Sequence, residues 1–139
     1  MTIQNRPHLI FDGNCEAALQ LYQGYFGGDI YLLRAQDTPM SDEFPPDKKS
    51  IIMFASLTGG KMDITAGEMS PIEGFKQGND VMSFLSFTDS KEIRECYDHL
   101  KDGGEELDPL KEAFWGDQFG VVKDRYGKIW MLTLPTEKQ

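Results

Sequence analysis

The sequence predicts an α+β chain built from two β-α-β-β-β modules, and three observations carry that prediction. Each half holds an amphipathic helix stopped by a double glycine, and each closes on a strand–turn–strand pair with a glycine-lysine step in its turn. The landmarks also repeat: Phe11 and Phe87 end the opening strands, and Gly28 and Gly104 follow the helices at the same offset. Gly60 and Gly127 lie closer together than those pairs, so the first half carries extra residues between its helix and its hairpin turn.

The elements follow in order. "RPHLIFDGN" opens with a strand. In "CEAALQLYQGYFGG", Ala18, Leu19, Tyr22 and Phe26 fall at helical spacing, Asp12 or Asn14 stands where a cap is needed, and Gly27-Gly28 is the stop. "DIYLLR" reads as a strand. The insertion is "AQDTPMSDEFPPDKKS", residues 35–50, a long loop rich in Pro, Asp and Ser. "IIMFASLTGGKMDITAG" gives strand, tight turn and strand, and completes a first module over 1–70. The second module, 79–135, opens on "VMSFLSFTDS". Its helix, "KEIRECYDHLKDGG", puts Ile93, Cys96, Tyr97 and Leu100 on one face, and a strand follows. "EAFWGDQFG" is a loop with a tight turn at Gly116, and "FGVVKDRYGKIWMLTL" is the closing hairpin. One module cannot cover its own sheet, so the two share a core in a single domain, 1–139, or pair across subunits.

Composition narrows the function classes. The chain has 139 residues and a net charge of −9, which disfavours binding to phosphate backbones, so no nucleic-acid partner is expected. No apolar run reaches membrane-spanning length and the N-terminus lacks a signal-peptide pattern, which predicts a cytoplasmic protein without a membrane partner. Cys15 and Cys96 lie far apart without a C-x-x-C pattern, so they read as buried thiols rather than as a zinc site or a disulfide. No G-x-G, G-x-S-x-G or phosphate loop occurs.

The segments "FDGNCEAALQLYQGYFGG", "ASLTGGKM" and "EAFWGDQFGVVKDRYGKIWM" resemble the vicinal-oxygen-chelate superfamily of glyoxalase I, extradiol dioxygenases and bleomycin-resistance proteins. Within it the chain is similar to the PhnB-like branch, also labelled 3-demethylubiquinone-9 3-methyltransferase-like. The resemblance implies the glyoxalase/bleomycin-resistance fold, with curved sheets forming a cleft, commonly in a homodimer. A methyltransferase activity would need a glycine-rich nucleotide loop, which the sequence lacks.

The superfamily's enzymes place His, Gln or Glu ligands on each module's first and last strands, facing the cleft. His8 matches the first of these positions in type. Counting from the turn glycines puts the last-strand positions at Ile64 and Met131, and the second module's opening ligand falls at Met82 or Phe84. None of these binds a hard cation. Asp63 is the nearest substitute carboxylate, so a divalent metal on His8 and Asp63 is the alternative to a metal-free cleft. His8 is also the candidate acid/base. On the last strand, Trp130, Leu132 and Leu134 share the face expected to pack on the helices, which leaves Met131 to the cleft. Phe54, Trp115 and Phe119 are expected to join it. The expected function is metal-free binding of a small apolar or aromatic molecule by His8, Phe54, Ile64, Phe84, Trp115, Phe119 and Met131. The alternative is a metal-dependent lyase, isomerase or resistance enzyme.

Overall fold

A computed structural model describes residues 3–68 and 75–135. The chain divides into two compact units, Met1–Lys76 and Gln77–Gln139. The predicted end of the first module, at residue 70, lies outside the described residues.

The first unit runs β1 (His8–Ile10), α1 (Cys15–Phe26), β2 (Asp29–Arg34), β3 (Ile52–Thr58) and β4 (Ile64–Gly67). Its sheet has the order β1-β4-β3-β2, with β1 parallel to β4 and the other pairs antiparallel. The second unit runs β5 (Ser83–Ser86), α2 (Ser90–Lys101), β6 (Glu105–Glu112), β7 (Gln118–Lys123) and β8 (Ile129–Leu134). Its order, β5-β8-β7-β6, is the same topology. Both units are therefore β-α-β-β-β, as the repeated landmarks predicted. Residues 35–50 are not featureless: they hold short 3-10 turns at Ala35–Asp37, Ser41–Glu43 and Pro46–Lys48.

Each helix covers one face of its own sheet. α1 turns Cys15, Ala18, Leu19, Tyr22 and Phe26 inward, and the sheet answers with buried Ala55, Leu57, Ile64 and Ala66. α2 turns Ile93, Cys96, Tyr97 and Leu100 inward, against buried Val122, Trp130 and Leu132. Strand alternation sends the intervening residues to the face without a helix, and that face carries the candidate site.

The double glycines are there for close approach. Gly27 ends α1 at φ 71°, and the Lys61 amide donates to the Phe26 carbonyl at 2.7 Å. A Cβ on Gly60 would collide with the backbone at Phe26 and Gly27, so the β3–β4 turn seats against the helix end only with glycine there.

The helix starts differ from each other. Asp89 caps α2 by accepting from the Glu92 amide at 2.9 Å, a local cap. Asn14 occupies the N-cap position of α1, but its side chain makes no capping bond. The distant Glu68 does that work: its carboxylate accepts from the Cys15 amide at 3.1 Å and from the Ile52 amide at 2.9 Å. This corrects the expectation of a cap from Asp12 or Asn14.

Candidate functional site

In the first unit the helix-free face is assembled by cross-strand pairing. His8 of β1 lies opposite Thr65 of β4, Thr65 opposite Ser56 of β3, and Ser56 opposite Tyr31 of β2. His8 Nδ1 and Thr65 Oγ1 share a hydrogen bond of 2.6 Å. The His8 ring stacks on Phe54 with centroids 6.3 Å apart, and Tyr31 lies 6.5 Å from Phe54 on its other side. Tyr31 is 52% exposed and Phe54 39%, so the aromatic rings stand in the open. The result is an aromatic platform with one fixed imidazole.

Ile64 does not join it. Ile64 pairs with Leu57, is fully buried, and faces α1. The cause is a difference in turn length. The chain linking the paired Leu57 and Ile64 is one residue longer than the chain linking the paired Lys123 and Ile129, so counting from the turn glycine slips by one position. A slip of one residue moves a strand side chain to the opposite face. The position facing His8 is therefore Thr65, which counting from the turn missed.

In the second unit the helix-free face is more apolar. Phe84 of β5 pairs with Met131 of β8, Met131 with Val121 of β7, and Phe119 with Thr133. Phe84 is 62% exposed. The β6–β7 turn adds two more rings. Trp115 meets Phe119 edge-on at 5.9 Å and Phe114 edge-on at 4.8 Å. The indole Nε1 donates to Asp117 Oδ2 at 3.1 Å, which fixes the ring, while Gly116 at φ 99° makes the turn. Phe84, Trp115, Phe119 and Met131 thus share this unit's helix-free side. Trp130 is buried beneath α2, as the alternation of the last strand predicted.

Asp124, in the most distinctive string "DRYG", is structural. Its carboxylate accepts from the Tyr126 and Lys128 amides at 2.8 and 3.1 Å and from the Trp130 indole at 2.8 Å, and it is 2% exposed. Tyr97 lies on the helix side of the sheet as well. Its hydroxyl donates to Glu106 at 2.6 Å, and burial first, then Glu106, pushes its pKa well above the ordinary 10.0.

A divalent ion does not fit these residues. Asp63 Oδ1 accepts from the Gly59 amide at 3.2 Å in the hairpin turn, while His8 is tied to Thr65. The last-strand positions carry Thr65 and Met131, and β5 presents Phe84. Among the described residues no group of three or more His, Cys, Asp or Glu side chains is arranged to hold a metal. A polar depression of about 840 Å³ lies beside the start of α1, between Asp12, Glu16, Arg34, Lys48 and Glu68, and none of the expected site residues lines it.

The fold and these faces have relatives. The family model for 3-demethylubiquinone-9 3-methyltransferase matches residues 4–133. The chain belongs to this PhnB-like family. Protein YjdN of Escherichia coli (strain K12) is 27% identical, with 92% of each chain covered. The crystal structure of protein PA1353 from Pseudomonas aeruginosa is 30% identical, with a TM-score of 0.83 over 96% of this chain and 98% of that one. A glyoxalase/bleomycin resistance protein/dioxygenase from Nocardioides, 15% identical with a TM-score of 0.61 over 100% of this chain and 88% of that one, shares the fold. The expected family and fold class are thereby established. Among the described residues no helix is long and apolar enough to cross a membrane.

Proposed function

We propose that this PhnB-like protein binds a small, flat aromatic molecule on the helix-free face of its second unit, without a catalytic metal. The carrying observation is the apolar surface of one sheet face: Phe84, Met131 and Phe119 lie on it, Trp115 packs edge-on against Phe119, and Phe84 and Trp115 are more than half exposed. Apolar walls with few polar groups suit a small-molecule site, and exposed clustered aromatics are costly unless something covers them. His8, Phe54 and Tyr31 offer the first unit a comparable, more polar platform.

The family name refers to methyl transfer. Nucleotide-type cofactors bind beyond the ends of parallel strands after a glycine-rich turn. Among the described residues each sheet has one parallel pair, at its margin, and the sequence contains no G-x-G. The metal-dependent alternative would rest on His8 alone. Homodimerisation remains part of the proposal, and light scattering of the purified chain checks it.

The test is a titration with a panel of uncharged aromatic compounds, read by tryptophan fluorescence. Trp130 is buried, so the change should come from Trp115 and vanish in Trp115→Phe. Silence across the panel, or an unchanged signal in Trp115→Phe, contradicts the reading.

A further inference from the structure

The same row of four residues crosses both sheets, and its chemistry differs between them. In the second unit the register aligns Phe84, Met131, Val121 and Asp108 on β5, β8, β7 and β6, and three of the four are apolar. In the first unit the matching row is His8, Thr65, Ser56 and Tyr31, and each of these carries a hydrogen-bonding group. The row is open to solvent: His8 is exposed, Tyr31 is 52% exposed, and Ser56 and Thr65 are partly so. Ala55, Leu57, Ile64 and Ala66, their neighbours in sequence, are buried, so alternation turns the Ser56 and Thr65 hydroxyls to the helix-free side. A register shift between Leu33 and Arg34 brings Phe54 to that side while Ile52 stays buried.

We infer that this face of the first unit is a second binding site, for a neutral pyranose sugar. A pyranose presents flat patches of C–H bonds and a rim of hydroxyls. The electron-rich face of an aromatic ring attracts the C–H patches, and Tyr31 and Phe54 supply two accessible rings, 6.5 Å apart and tilted by 54°. The rim hydroxyls both donate and accept, as do the hydroxyls of Ser56 and Tyr31. His8 offers Nε2 to the ligand, because its Nδ1 is already held by Thr65 at 2.6 Å. A purely apolar ligand would strip water from these groups and leave them unpaired, whereas sugar hydroxyls take the place of that water. A cation would meet no carboxylate in the row.

The chain has two histidines, His8 and His99, and His99 lies in α2, so the imidazole ring protons give both a probe and an internal control. The experiment is an NMR titration of these protons with the methyl glycosides of glucose, galactose and mannose, and with cyclohexanol, a ring of similar size with a single hydroxyl. At least one glycoside should give a saturable shift at His8 and none at His99, and cyclohexanol at the same concentrations should move neither. Tyr31→Ala should weaken that glycoside about tenfold, and Tyr31→Phe, which keeps the ring and loses the hydroxyl, about threefold. Absence of a saturable His8 shift with all three glycosides, an equal response to cyclohexanol, or an affinity unchanged in Tyr31→Ala overturns the inference. None of these outcomes touches the aromatic site of the second unit, which is read through Trp115.

Discussion

The two units share one topology and differ in how each secures it. In the second unit the carboxylates at the helix start and at the closing turn act locally. Asp89 caps α2 from the residue before the helix, and Asp124 holds the β7–β8 turn and the Trp130 indole together. In the first unit the helix start is served from a distance. Glu68, at the end of β4, supplies the bond at the start of α1 and ties down β3 as well, while Asp63 accepts from the Gly59 amide of its own turn. The faces without a helix differ in the same way: a hydrogen-bonded imidazole among aromatic rings in one, rings and a methionine in the other. A duplicated fold fixes where the faces are, and the residues on them can diverge freely.

The sharpest break in this comparison is Asp124→Ala. It leaves a buried indole N–H and two turn amides without their acceptor, and should cost about 3 kcal/mol or more. Asp63→Ala, at the matching turn of the first unit, should cost about 0.5 kcal/mol. Denaturant unfolding of the two variants measures the contrast, and equal losses would erase it. Glu68→Ala should come next, at about 2 kcal/mol, because two backbone donors lose a carboxylate. Asp89→Ala should cost about 1 kcal/mol, as an ordinary helix cap does. If Asn14→Ala proved as costly as Glu68→Ala, α1 would be capped locally after all.

A pH scan separates the units further. Tyr97 lies in the second, and its folded pKa stands above the unfolded value of 10.0 because burial and Glu106 oppose the phenolate. Below about pH 10 both states keep the proton and the stability is whole. Above it the unfolded chain loses its proton first, so stability falls as pH rises. Tyr97→Phe should flatten that alkaline fall, seen in melting temperature against pH. The smallest stability effect belongs to Trp115→Ala: with half its surface already exposed, the melting temperature should shift by only a few degrees while the fluorescence response to aromatic compounds is lost.

Much of this was legible in the sequence, for reasons visible in particular residues. The helices were plain because Ala18, Leu19, Tyr22 and Phe26, and Ile93, Cys96, Tyr97 and Leu100, recur at helical spacing before Gly-Gly stops. Trp130 was assignable to the core because its strand-mates Leu132 and Leu134 are apolar. Ile64 was misplaced because the two hairpin turns differ by one residue, and a glycine-lysine step marks a turn without fixing its length. The remote cap at Glu68 had no local signature at all: the carboxylate meets Cys15 and Ile52 only after the sheet forms.

The measurement that bears most directly on the aromatic site is a methyl spectrum of the protein labelled at its methionines, with Met131 assigned through Met131→Leu. Added 2-naphthol should shift the Met131 methyl through the ring current of a bound aromatic and leave Met53, on the other unit's β3, unmoved. A saturable shift at Met53 with none at Met131 would place the ligand elsewhere and contradict the account.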